Sequence, residues 1–390
     1  MNFKVYLLAI GAFVVGMVEL IIGGILPLIS KDLNVPLSLT GQLITVFALG
    51  LAIAGPITMA LTSKIERRKL YLYSLFLFFV GNMIAYFSVN YQMLLFARIF
   101  TSISASLLLV LSLTIATKVV EPAYQARAIG VITMGVSTSL VLGIPVGVLI
   151  GEAFGWRILF LIIAILSLVV MMIISRYLDE LPPDQTIPLR QQFASLKSAK
   201  IISAHVVTIC MLAGHYVLYA YFTPFLQETL NANAFWISVA YFVFGVSAVM
   251  GGGASGWVSD RLGAQKTILL VVGLFAIVLF LLPISTKVLF LFPIPMIIWG
   301  MLSWALSPPQ QSYLIATAPE SAGIQQSFNN SALQLGIAIG SAVGGVVIQH
   351  SEITANAYVG GIFAILAIVF AVYSITRKPI TKKDGQKLAS

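Results

Sequence analysis

A chain of 390 residues that is 59% hydrophobic and only 9% charged cannot cover a water-facing surface, since a soluble domain carries roughly a quarter charged side chains. A mean hydropathy of +1.01, with apolar runs recurring from end to end, excludes a soluble domain on a single anchor and leaves an all-α polytopic membrane protein. The net charge of +9 does not signal nucleic acid: 18 of the 22 Lys and Arg residues fall in segments on one side of the membrane, which marks that side and both termini as cytoplasmic.

At about 20 residues per crossing, twelve spans are predicted, over about 5–27, 38–62, 70–88, 93–117, 127–151, 157–176, 201–227, 235–258, 267–284, 288–313, 324–348 and 356–376. Lys31, Arg157 and Lys287 then lie on the outer side, and Arg98 lies inside the fourth span. The first run is too long for the apolar part of a secretory signal, lacks a small-x-small cleavage site and is read as a retained span. The expected organisation is an N-terminal six-helix bundle over 1–176, a cytoplasmic linker over 177–200, a C-terminal bundle over 201–376 and a basic tail over 377–390.

Span one carries Glu19, fourteen residues from Val5 and so about 21 Å into a core of ~30 Å. It is the one acid of thirteen that cannot be moved to an interface. Ionised and unpartnered at that depth, a carboxylate costs at least ~2.5–3.5 kcal/mol, and intramembrane acids that persist are normally functional. A carboxyl that takes a proton from one side and gives it to the other is what an antiporter needs; the plain alternative is a structural partner for Arg98. Gln42 in span two is a further candidate for ligand contact. Arg98 either acts on the proton at Glu19 or caps backbone carbonyls and fixes span four; it stays charged, so it is not itself the carrier.

Span five holds Gly135, Ser139, Gly143, Gly147 and Gly151 at every fourth position, and span eleven repeats the device with Gly336, Gly340 and Gly344. Such strips let helix backbones approach closely in lipid. The functional extension is that spans five and eleven lie where two halves meet and let them rock. The linker segment LRQQFASLKSAK places Leu189, Phe193 and Leu196 on one face with Arg190, Lys197 and Lys200 beside it, either a helix on the cytoplasmic interface or a solvated connection. Cys210 is the only cysteine, which excludes an intramolecular disulfide.

In span seven, His215 and Tyr219 are four apart on one helix face and each combines a ring for stacking with a polar tip, which suits a flat heteroaromatic ligand. Packing is the alternative for both, and His205, nearer the cytoplasmic end, is assigned to the interface. Span ten carries Trp304, the bend-forming Pro308–Pro309 pair, Gln310 and Gln311; span eleven carries Gln326, Asn330 and Gln334 at four-residue spacing, with Asn329 beside them. Amides in lipid need partners. Some of these are expected to bond helix to helix and the rest to read a ligand edge through paired donors and acceptors. The basic tail residues Arg377, Lys378, Lys382, Lys383 and Lys387 are read as an orientation signal that also touches lipid headgroups.

The chain repeats internally. LTSKIERRK joins spans two and three, WVSDRLGAQK joins spans eight and nine, and aligning Ala60 with Gly256 gives an offset of 196. Gly143 and Gly340 are 197 apart, so two independent features share one period, as in transporters built from parallel six-helix repeats.

The loop from Gly256 to Lys266, with Asp260, Arg261 and Gly263, resembles the cytoplasmic signature of the major facilitator superfamily, although the first-half copy has Lys64 and Arg67 where that family has an acid and a glycine. Arg98 in LLFARIFTS, Gly143-Ile-Pro145-Val-Gly147 with Gly151, and GWRILF resemble its twelve-span drug/proton antiporter group. MVELIIGGILP, LAGHYVLYAYFTPFL, WGMLSWALSPPQQSYLI and QQSFNNSALQLGIAIGSAVGGVV are similar to bacterial purine efflux pumps of that group. The resemblance implies export of purine bases, nucleosides and their analogues by alternating access, driven by inward proton flow. Expected partners are that small-molecule substrate, protons and the lipid bilayer, for a chain acting as a monomer. A broader drug or sugar exporter is the alternative within transporters, and a receptor or membrane-embedded enzyme the alternative outside them. No phosphate-cradling glycine–lysine loop, metal-ligand cluster or Ser–His–Asp pattern is present, so neither cofactor nor enzyme activity is expected.

Overall fold

The computed structural model of the chain describes residues 2–183, 196 and 198–377, and every regular element among them is helical. Span one runs Phe3–Leu33, started by the Asn2 side chain, which accepts from Lys4 N, and stopped by Asn34 at φ 50°. Leu37–Leu61, Arg67–Tyr86 and Tyr91–Lys118 follow as spans two to four. Span five is composite, with Gln125–Thr138 and Ile144–Phe154 joined by a π turn at Ser139–Gly143. Pro145 has no N–H to give back to Val141, and the helix widens at that point. Arg157–Tyr177 is span six.

In the second half span seven is Ala199–Tyr219, which breaks and continues as Phe222–Leu230. Spans eight and nine, Ala234–Leu262 and Ala264–Ser285, meet at Gly263, whose φ of 84° and ψ of 151° admit no side chain without strain. Span ten is split into Pro293–Ala305 and Ser307–Thr317. Pro308 and Pro309 withhold the two N–H groups that would bridge the gap. Spans eleven and twelve are Ala322–His350 and Ala355–Thr376. Eleven of these helices are long and apolar enough to cross a membrane as they stand; span ten, cut in two, completes the twelve.

The pairing of helices shows the repeat in three dimensions. In the first half spans one and five, two and four, and three and six pack together; in the second half seven and eleven, eight and ten, and nine and twelve do the same. Across the halves, span two packs on eleven and five on eight, again related by the same shift of six spans.

The small-residue strips do not form that boundary. A Cβ at Gly135 would strike Ala9 O, one at Gly143 Met17, one at Gly147 Ile21 and one at Gly151 Ile25, all on span one. Gly336, Gly340 and Gly344 press likewise on Ile209, Ala213 and Val217 of span seven. Both strips therefore close each half on itself. The inter-half approaches use other glycines, Gly245 against Val141 and Gly345 against Ser38.

On the cytoplasmic side the first part of the linker is pinned to the first half. Glu66 caps span three by accepting from Arg68 N and Lys69 N at 2.8 Å and also accepts from Leu181 N at 2.7 Å. Lys4 pairs with Asp179, and Lys118 Nζ donates to Pro182 O. Lys200 belongs to the first turn of span seven, buried, with Nζ donating to Arg377 O at 2.9 Å. The segment carrying Leu189, Arg190, Phe193 and Lys197, and the tail beyond Arg377, lie outside the described residues. On the outer side Arg157 pairs with Asp32 and lies over the Trp156 ring.

Candidate functional site

Glu19 sits sixteen residues from one end of span one and fourteen from the other, so both ends of the helix are over 20 Å away at ~1.5 Å per residue. It is partly exposed at that depth, and its Oε1 accepts from Nε2 of Gln334, on span eleven of the opposite half, at 2.9 Å. The carboxylate thus stands in the boundary between the halves. Arg98 is fully buried but makes no ion pair with it. Its Nη1 donates to Val18 O at 2.8 Å, its Nε donates to Leu43 O at 3.4 Å, and its guanidinium lies 3.9 Å from the centre of the Phe47 ring. The arginine grips the carbonyl next to Glu19 and ties spans one, two and four together, with Nη2 left without a partner. Tyr216 of span seven also lies within electrostatic range of Glu19.

Gln334 is one contact in a row along span eleven. Ser331 Oγ donates to Ala52 O at 3.2 Å, Ser341 Oγ shares a hydrogen bond with Thr45 Oγ1 at 2.9 Å, and Gln349 Nε2 donates to Ser38 Oγ at 2.6 Å. Positions 331, 334, 341, 345 and 349 follow the three- and four-residue steps of one helix face. The other seams close the same side: Thr223 Oγ1 donates to Gly23 O at 2.9 Å, and Ser238 Oγ to Pro145 O at 3.0 Å. These bonds run from one turn inside mid-membrane to the outer ends of the spans. Asn330 and Gln311, nearer the cytoplasm, are exposed and Gln326 is half-exposed, which makes this an inward-facing arrangement.

His215 and Tyr219 share a face and stack on each other, with ring centres 4.7 Å apart. They are enclosed rather than open. Phe244, Trp299, Phe275 and Tyr216 all lie within 6.2 Å of His215, and Tyr241 and Phe222 close in on Tyr219. His215 Nδ1, Tyr219 OH and Trp299 Nε1 are buried in this ring chamber without a hydrogen-bond partner. Three orphaned polar atoms in one apolar chamber are uncommon in a folded protein and call for an explanation.

The carboxamides separate into two groups. Gln310 Nε2 donates to Ala204 O at 2.6 Å, and Asn329 Oδ1 accepts from Thr208 at 2.7 Å, so both hold span seven. Gln326 Nε2 donates to Gln311 O, and Gln311 Nε2 to Ser307 Oγ, at the exposed cytoplasmic end. Trp304 is half-buried at the break in span ten, and Gln42 is half-buried in the second turn of span two. His205, near the cytoplasmic end of span seven, is buried within the bundle, with Nε2 2.9 Å from Oε1 of Gln325, an amide that four-residue spacing did not single out. Asp260, Arg261 and Gly263 are exposed on the cytoplasmic face, with Arg261 stacked 3.8 Å over Trp257, and Gly256 faces Pro308. Trp299 and Phe244 were missed because apolar runs hide aromatic positions; the register of His215 and Tyr219 is the only sequence signal that points toward them.

A profile of the Major Facilitator Superfamily matches residues 8–340. The chain is 34% identical over 378 residues to the uncharacterized MFS-type transporter YbcL of Bacillus subtilis (strain 168), covering 97% of each. It is 29% identical to the inner membrane transport protein YdhP of Escherichia coli (strain K12), covering 97% of this chain and 98% of that one. In three dimensions it matches the crystal structure of a bacterial homolog of the human lysosomal transporter Spinster, inward-facing and occupied, with a TM-score of 0.76 at 15% identity over 96% of both chains. The human organic anion transporter MFSD10 superposes with a TM-score of 0.69 at 15% identity, over 94% of this chain and 98% of that one.

Proposed function

The chain belongs to the major facilitator superfamily, as a multi-pass transporter of the bacterial inner membrane, and from that premise we propose that it exports purine bases and nucleosides in exchange for protons. The observation that carries the proton half is the position of Glu19: a lone carboxyl at mid-membrane, on the boundary that alternating access has to open and close, bonded to the opposite half and without an ion pair to Arg98. Opened outward, Glu19 takes a proton from outside; opened inward, as here, it releases that proton toward the cytoplasm. The membrane potential supplies about 2.3 kcal/mol per charge per 100 mV, which sustains roughly a 40-fold gradient of a neutral substrate for each proton exchanged.

The purine half rests on the sequence resemblance and on the ring chamber. A flat base with ring nitrogens and an exocyclic group brings both donors and acceptors, which His215 Nδ1, Tyr219 OH and Trp299 Nε1 lack as partners. The stack of His215 on Tyr219 has to part to admit it. Asn330, Gln326 and Gln311 line the approach from the cytoplasm. One observation favours the broader reading, a drug exporter: Gln310, Gln325 and Asn329 are already bonded within the second half, leaving a chamber richer in rings than in amides.

One experiment addresses both halves. Inside-out vesicles carrying the protein are incubated with labelled adenine, hypoxanthine, a nucleoside or a planar cationic dye, with and without a proton gradient. Gradient-driven uptake of the purines, with Glu19→Gln keeping substrate exchange but losing uphill transport, is the expected result. Uphill purine uptake that survives Glu19→Gln removes the proton assignment, and uptake of the dye alone transfers the function to the broader exporter.

A further inference from the structure

Among the described hydrogen bonds between the halves, only that of Glu19 with Gln334 has an ionisable group at one end. Gln334 is buried, and it uses one side of its amide alone: Nε2 donates to Glu19 Oε1 at 2.9 Å, while its own Oε1 is buried without a partner. An ionised carboxylate only accepts hydrogen bonds, whereas a protonated one also donates. A primary amide matches either form, by offering N–H to the first and C=O to the second.

We infer that Gln334 reads the charge on Glu19 and turns it into the strength with which the outer side is held shut. This rests on the proton-exchange reading above. With Glu19 ionised, the bond across the boundary is charge-assisted, the stronger kind. When Glu19 takes up a proton, the amide turns over so that its orphaned oxygen receives the new O–H, and the bond becomes an ordinary neutral one. The flanking bonds, Ser331 to Ala52 O and Ser341 with Thr45, involve neutral groups and do not change with protonation. The other groups that face Glu19 are Arg98 of span four, which is committed to Val18 O and Leu43 O, and the Tyr216 phenol of span seven; neither joins the two halves through the carboxylate. A protonated transporter therefore exchanges freely between its two openings. An ionised and empty one is held closed outward, which ties proton flow to cargo.

The test uses the full chain in lipid nanodiscs, with Cys210→Ser and spin labels at the exposed outer positions Lys31 and Glu352, one on each half. Distance distributions between the labels are recorded in alkaline and acidic buffer. Exchanging a charge-assisted bond for a neutral one shifts the open-to-closed ratio by about tenfold, so acidification of the parent is expected to raise the outward-open population by that factor. Gln334→Leu, and Gln334→Met as a second variant closest in shape, are expected to open outward to the same extent in both buffers. Glu19→Gln is expected to be equally insensitive to pH, and adding Gln334→Leu to it should leave that insensitivity unchanged. A Gln334 variant that keeps the parent's acid response while Glu19→Gln loses it overturns this inference and leaves proton exchange through Glu19 intact. An acid response that survives in Glu19→Gln itself removes both.

Discussion

Two carboxylates in this chain have opposite surroundings. Glu66, in the cytoplasmic loop before span three, is caught by the N–H groups of Arg68, Lys69 and Leu181. Burial alone would raise its pKa, but those three donors and the charge of Lys69 outweigh it and hold the carboxyl below its usual value of 4.5. A folded-state value below the unfolded one means that Glu66 contributes stability above pH 4.5 and loses that contribution as the pH falls through the lower folded value. Glu66→Ala is expected to cost about 1 kcal/mol at neutral pH, the usual worth of a helix N-cap, and to free the start of the linker. Thermal unfolding of the detergent-solubilised protein, followed by tryptophan fluorescence, checks both signs: the gap between parent and variant should narrow once the pH drops well below 4.5. A gap that is constant with pH assigns the loss to packing. Glu19 differs in having one partner only, and that partner is 315 residues away in the chain. Its depth was legible in the sequence because insertion cost depends on local composition. The identity of Gln334 as its partner was not, because nothing local distinguishes a glutamine facing the other half from one facing its own.

Within the helices, small residues and prolines carry most of what could be read in advance. The twelve spans follow from apolar run length, and the break in span ten follows the Pro308–Pro309 pair; the apolar run over 201–227 predicts an unbroken span seven, which instead breaks after Tyr219, before Pro224. Which neighbour a glycine strip meets does not follow, since a flat helix face is compatible with any partner that comes close. The structure gives the strips to spans one and seven, and this has a measurable consequence. A Cβ at Gly340 would stand 2.4 Å from Ala213 O and 2.9 Å from Ala213 Cα, backbone atoms that cannot move aside. Gly340→Leu must therefore push spans seven and eleven apart, at a cost of at least ~1–3 kcal/mol, the range for overpacked interiors. Gly253→Leu, where a Cβ meets nothing within 4 Å, serves as the control and is expected to be close to neutral. If both variants unfold at the same temperature, the strips are not tight contacts. The carboxamides divide on the same principle: Gln325 and Asn329 turn toward span seven and Gln334, only five residues beyond Asn329, toward span one.

For the molecule as a whole, the sequence repeat becomes a two-fold arrangement in which spans two and eleven, and five and eight, form the outer boundary. A transporter that works by alternating access has to break this boundary in every cycle, so its contacts need to be numerous enough to close and weak enough to open. Hydroxyl and amide bonds meet both needs, each contributing about 0.5–1.5 kcal/mol. Ser38 with Gln349 is the outermost of those on span eleven, and Gly345 comes against Ser38 as well. Ser38→Cys combined with Gln349→Cys, in a Cys210→Ser background, joins the halves covalently when treated with a short bis-maleimide, to which each thiol adds. Uphill transport should then fall to the background of empty vesicles, because opening outward is forbidden. Substrate binding measured on the cytoplasmic side should persist, because the inward opening is untouched. Either single-cysteine variant treated in the same way should transport normally. Full transport by the cross-linked protein would mean that the halves do not part along spans two and eleven, and the cycle proposed for Glu19 would then have no motion to drive it.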